Sequence, residues 1–165
     1  GWTAFSTMEN HYNLLYREDE RELIPICKQM GVTLMPYSPL AGGHLTRPTW
    51  EGSSLRGQTD KVVRGKYDRM QKADIKIIDR VADLANRKGC TMSQVALAWL
   101  WSKGVQSPII GATKTRYIDD AVDALKIELS ADELLYLEEC YEPHPIVGAI
   151  STNPPEGVML LDEKK

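Results

Sequence analysis

The chain has little of what would mark several large protein classes. Its three cysteines, Cys27, Cys90 and Cys140, are far apart, an odd number with no CxxC pair and no histidine-rich neighbour. That spacing excludes a disulfide framework and a zinc site, and fits three small core residues in a reducing cytoplasm. Long apolar runs are missing too: the longest helical stretch, Met92 to Trp101, is well below the ~20 residues of a bilayer span. No charged and apolar leader opens the sequence, so no signal peptide is expected. A basic face is also absent, because the net charge is −3, the pI is near 5.7 and the Lys and Arg residues are scattered. Nucleic acid is thereby excluded as a main partner. What is present, 42% hydrophobic and 26% charged residues in 165 positions, is the composition of a globular domain or a piece of one.

The apolar pattern alternates between extended and helical periods. Phe5 to Asn10 reads as a short strand, Val32 to Tyr37 as a better one between Gly31 and a Pro-Leu-Ala-Gly-Gly turn, and Pro108 to Gly111 as a third. Between the first two, Glu18 to Met30 predicts a helix with Leu23, Cys27 and Met30 on one face and Pro25 in its first turn. A longer helix is predicted over Asp74 to Lys88, its face centred on Ile75, Ile78, Ala82 and Ala85 and widened by Ile77, Val81 and Leu84. Gly89 should stop it. Thr91 or Ser93 then caps Gln94 to Ser102, which is apolar nearly all round and should be buried on most sides, with Gly104 ending it. Ile118, Ala121, Val122 and Leu125 predict a one-sided helix, and Ser130 with Glu133 forms a capping box before Leu134, Leu135 and Leu137.

Two segments fall outside this rhythm. Residues 41–71 are rich in Gly, Thr, Ser and Arg and read as a functional loop, and residues 143–165 read as an extended or disordered tail. Strands alternating with helices predict an α/β fold with a parallel sheet buried on both faces, but three strands are too few to shield one. A barrel of eight such units needs about 250 residues. The expectation is therefore the C-terminal portion of a TIM (β/α)8 barrel.

Three blocks carry a resemblance: Met8 to Arg17, Pro36 to Gly43, and Pro108 to Lys114 running into Ile118 to Ala121. In this order and spacing the sequence, from Gly1 to about Leu137, resembles the aldo-keto reductase family, in the branch that includes the potassium-channel β subunits. The resemblance implies that the strands are the sixth to eighth of the barrel, that residues 1–142 form its C-terminal half, and that NADP(H) is the cofactor and a small carbonyl compound the substrate. The family's Asp, Tyr, Lys and His tetrad belongs to the first half, and nothing in this chain matches it. No catalytic residue and no metal ligand is assigned here. Alone, the chain should be inactive and should pair with the missing half or with itself.

The cofactor cradle is what the resemblance leaves to this half. Tyr37 would stack on the nicotinamide. Ser38, Pro39, Leu40, Ala41, Gly42 and Gly43 would wrap the pyrophosphate, where a hydroxyl and side-chain-free glycines let the main chain approach anionic oxygens. Arg47 and Arg56 would close over it. Gly111, Ala112, Thr113 and Lys114 lead into a helix start, an anion site by its amide dipoles, with Lys114 and Arg116 for the 2′-phosphate of NADP. Tyr117 and Asp120 stand where the family contacts adenosine, beside Ala121, which has no amide. Glu9 replaces a common Gln at the nicotinamide carboxamide; a carboxylate accepts from the NH₂ but cannot donate to the carbonyl. The alternative is an NADP-binding regulatory module like the channel β subunits. A helix-turn-helix around Gly89-Cys90-Thr91 is disfavoured, since its second helix is Trp- and Leu-rich where a recognition helix is polar.

Overall fold

The structure is a computed structural model that describes residues 1–50 and 66–146. A two-stranded parallel sheet joins β1 (Thr7–Met8) to β2 (Thr33–Leu34), with Thr7 opposite Thr33 and Met8 opposite Leu34. The pairing continues past both strands, where His11 bridges Tyr37. Between them, 3-10 turn Glu18–Glu20 precedes α1 (Leu23–Met30), with Pro25 in the first turn and Gly31 closing the helix at φ +67°. Of the expected α1 face only Cys27 is buried, whereas Met30 is 66% exposed.

The third expected strand lies beside β2 but does not close a ladder. Ser107 N donates to Leu34 O (3.2 Å) and Ile109 N to Pro36 O (2.9 Å). In a parallel pair the return bond to Ser107 O has to come from the amide of residue 36, and proline has none. One residue thus turns the expected ladder into a one-way pairing.

Helices form the other layer: α2 (Gln71–Lys88), α3 (Met92–Ser102), α4 (Thr115–Asp123) and α5 (Ala131–Glu138). Their ends follow the sequence closely. Gly89 takes the left-handed cap of α2, and Thr91 with Gln94 and Ser130 with Glu133 both form reciprocal capping boxes. The buried face of α2 runs through Ile77, Ile78, Val81, Leu84 and Ala85, leaving Ile75 37% exposed, so the stripe is rotated from the expected one. As expected, α3 is the central helix: Val95 to Leu100 are all buried. Trp99 is fully enclosed against Tyr12, its indole donating to Glu138 Oε1 (2.8 Å). A helix so covered is not free to read a DNA groove. Cys90 and Cys140 are only half-buried, against the core role expected for all three cysteines.

The apolar stripe of α4 is the largest departure. Ala121 and, in the following turn, Ala124 are buried where this segment packs on α3, while Ile118, Val122 and Leu125 are more than half exposed. Small residues allow the close approach, and no other described element lies over the larger ones. Trp2 and Phe5 are likewise exposed, and β1 is paired on one side only among the described residues. Uncovered apolar surface and a free strand edge favour association. Sedimentation of the chain at micromolar concentration should therefore show species larger than 18.6 kDa, shifted toward monomer by Val122→Lys with Leu125→Lys. A monodisperse wild-type monomer would contradict this.

Candidate functional site

Because the pairing is parallel, the chain leaves all three extended segments at one end. Glu9 follows β1, Tyr37 and Ser38 follow β2, and Gly111 to Thr113 follow the one-way segment. Ligand sites of parallel sheets gather at this carboxyl end. Glu9 is exposed and close enough to Tyr37 for its charge to raise the phenol's pKa, after burial, Tyr16 and Asp19.

The start of residues 41–71, expected as a functional loop, is a run of 3-10 turns over Ala41–Thr46. Ser38, Ala41, Gly42 and Gly43 all have positive φ, at 56°, 49°, 64° and 103°. For Ser38 and Ala41, which carry a Cβ, this costs about 1–2 kcal/mol each. Their surroundings hold them there: Asn13 Nδ2 donates to Ser38 O (2.9 Å), and Ala41 N donates to the same carbonyl (3.0 Å). The Ala41 and Gly43 amides bond inside the turn, to Ser38 O and Leu40 O. At Gly43 the positive φ requires glycine, and a Cβ there would meet the Arg47 guanidinium at 3.6 Å. Among the described residues Arg47 Nε is buried without a hydrogen-bond partner, beside a side-chain-free backbone. Arg56 lies outside the described residues.

Tyr37 is half-buried and backed by aromatic rings. His11 stacks on it at 5.1 Å between centroids and 11° between planes, and Tyr16 stacks on His11 at 4.2 Å. The Lys66 ammonium is 3.3 Å from the Tyr37 hydroxyl and 4.6 Å from the ring centroid. Burial, with the Lys66 and His144 charges, lowers the His11 pKa to about 3, so His11 is a neutral ring. His44 is also held neutral, at about 4, by burial and Arg47, and it stacks on Trp50 at 4.1 Å.

At the third strand end Gly111 to Arg116 are all exposed. Lys114 is the extended N-cap residue of α4 and supplies no side-chain cap, leaving first-turn amides for another acceptor. Arg116 Nη2 donates to the Tyr117 hydroxyl (3.3 Å). Asp120 turns toward the start of α3, where its carboxylate accepts from Thr91 Oγ1 at 3.0 and 3.1 Å. Lys114 thus stands exposed at the start of α4, while Arg116, Tyr117 and Asp120 engage neighbours. Sequence reasoning missed Tyr67, Lys66 and the structural duties of His11 and Asn13. Their contacts span up to 56 positions, for which no local pattern exists. Among the described residues no cluster of His, Cys, Asp and Glu could hold a metal, and no helix is long and apolar enough to cross a membrane.

The model of the aldo/keto reductase family matches residues 1–142. Versiconal hemiacetal acetate reductase of Aspergillus parasiticus is 45% identical over 150 residues, covering 88% of this chain and 43% of that protein. An aldo-keto reductase of Fusarium vanettenii is 46% identical over 150 residues, covering 90% and 40%. The chain therefore spans well under half the length of these relatives. Among solved structures, the thermostable aldo-keto reductase Tm1743 in complex with the inhibitor epalrestat matches with a TM-score of 0.56 at 26% identity, covering 81% of this chain and 39% of that one.

Proposed function

The chain belongs to the aldo/keto reductase family, and from that membership we propose that it supplies the NADP(H)-binding part of a carbonyl reductase, the C-terminal portion of a (β/α)8 barrel. The carrying observation is the convergence at one sheet end of Glu9, Tyr37 on its ring stack, the positive-φ turn of residues 38–43, and the uncapped start of α4 at Lys114. These residues fit a dinucleotide. Among the described residues Arg47 Nε is a buried donor with no hydrogen-bond partner, beside Gly43, whose φ favours glycine.

When bound, the reduced nicotinamide supplies the hydride for a small carbonyl substrate. The chain's own residues orient it: Tyr37 offers a flat ring kept in place by His11, and Glu9 can accept from a carboxamide NH₂. Arg47 and the 38–43 turn would hold the pyrophosphate. Lys114 and Arg116 would meet the 2′-phosphate. The proton for the developing alkoxide is assigned to the family's tetrad, to which no residue of this chain corresponds, so residues 1–165 alone should not turn over.

Titration of the chain with NADPH and NADH, followed by nicotinamide fluorescence, tests the reading. NADPH should bind more tightly, and Lys114→Ala with Arg116→Ala should narrow the preference by roughly tenfold, the worth of a charge-assisted contact. Tyr37→Ala should weaken both cofactors. Absence of binding by the wild-type chain, or a preference untouched by the double variant, would overturn the assignment or move the phosphate site elsewhere.

A further inference from the structure

The centre of the cradle is a buried hydroxyl that neither composition nor motif singles out. Tyr67 is 0% exposed, and its oxygen lies 2.7 Å from His11 Nε2, 3.0 Å from Asn13 Nδ2 and 3.4 Å from Ser38 Oγ. These partners follow two different strands. His11 backs the Tyr37 ring, and Ser38 opens the positive-φ turn. Asn13 completes the junction with its full bonding capacity in use: Nδ2 donates to Tyr67 and to Ser38 O, and Oδ1 accepts from Leu15 N and Tyr16 N.

We propose that Tyr67 is a positioning residue for the nicotinamide end of the cradle, its hydroxyl locking the His11 ring beneath Tyr37 and the first turn residue, Ser38, into one rigid junction. Tyr67 is enclosed and cannot touch a ligand, yet it holds the two elements expected to do so, and groups fixed from behind by hydrogen bonds keep their place better than groups held by packing alone. The ring of Tyr67 is edge-on to both His11 (5.8 Å, 77°) and His44 (5.5 Å, 64°), so it also ties the 41–46 turns to the stack. Lys114 and the start of α4 have no bond to this junction among the contacts described. Tyr67 should therefore govern one end of the cofactor and leave the other unaffected.

This inference rests on the proposed NADP(H) reading, and the experiment separates the two. Tyr67→Phe removes the hydroxyl and keeps the ring. Kd would be measured for NADPH and for adenosine 2′,5′-bisphosphate, which lacks the nicotinamide, together with the thermal midpoint. NADPH should weaken roughly tenfold, with the bisphosphate unchanged within about twofold. Equal loss of both ligands would make Tyr67 merely structural and overturn the inference, as would unchanged NADPH binding. Failure of the wild-type chain to bind NADPH would instead overturn the reading beneath it. If Tyr67→Phe does not fold, His11→Phe provides the same test: it keeps a ring under Tyr37 and breaks the bond to Tyr67, and must produce the same selective loss.

Discussion

Lowering the pH from neutrality to about 4 should cost the fold roughly 3 kcal/mol for each of two buried histidines. The His11 and His44 pKa values fall from 6.5 to about 3 and about 4, in both cases chiefly through burial, assisted by Lys66 and His144 at His11 and by Arg47 at His44. A depressed folded-state pKa means that the unfolded chain takes up a proton the native chain refuses. Their stabilising contribution is present above pH 6.5 and is lost as pH falls toward the folded values. Asp74 acts in the opposite sense: burial raises its pKa despite His144, so its protonation in acid relieves a native-state cost. Stability from urea titrations between pH 7.5 and 4 should fall steeply just below 6.5, with a slope against pH approaching about two protons. His11→Phe should reduce that slope by about one, without removing the His11 ring's place in the stack. A flat profile between pH 7 and 5 would show that the two imidazoles are solvated.

The second large effect is expected at the buried pair formed by His144 and Asp74. Their side chains are 1% and 0% exposed, with His144 Nε2 3.0 Å from Asp74 Oδ1. The pair fastens the chain after α5 onto α2. The same segment is held a second time at Glu18, whose Oε1 accepts from His144 N and from the Tyr141 hydroxyl, both at 2.7 Å. Removing His144 leaves the buried Asp74 carboxyl without solvent and without its side-chain hydrogen-bond partner, a loss of about 1–3 kcal/mol. His144→Ala should therefore sharply lower the urea midpoint at pH 7 and expose residues near 144 to protease. Asp74→Leu combined with His144→Leu should recover much of that loss, since apolar packing avoids the desolvation. A double variant no better than His144→Ala would mean that the loss comes from packing rather than from an unsatisfied buried carboxyl. Residues 143–146, the start of the expected arm, are thus tied down at His144, whereas residues 147–165 lie outside the described part.

Local chemistry was legible from the sequence because its causes lie within four residues. The capping boxes at Thr91 and Ser130, the left-handed stop at Gly89 and the all-apolar α3 follow from neighbours along the chain. The strand-end blocks Pro36 to Gly43 and Pro108 to Lys114 were legible only through their resemblance to a family, whereas the turn after Tyr37 was marked by its own Pro and Gly residues. The direction of the amphipathic faces was decided only in three dimensions. Period shows that Ile118, Val122 and Leu125 share a side of α4, yet burial went to Ala121 and Ala124, because packing depth against α3 favours small residues. A similar limit applies to the third strand, whose ladder depends on a missing amide in a different strand, at Pro36. The Tyr67 junction and the His144–Asp74 pair join residues 29 to 70 positions apart. Each such contact is stabilised only after the intervening chain has been ordered and water excluded, so its existence is a property of the packed core rather than of any window of sequence.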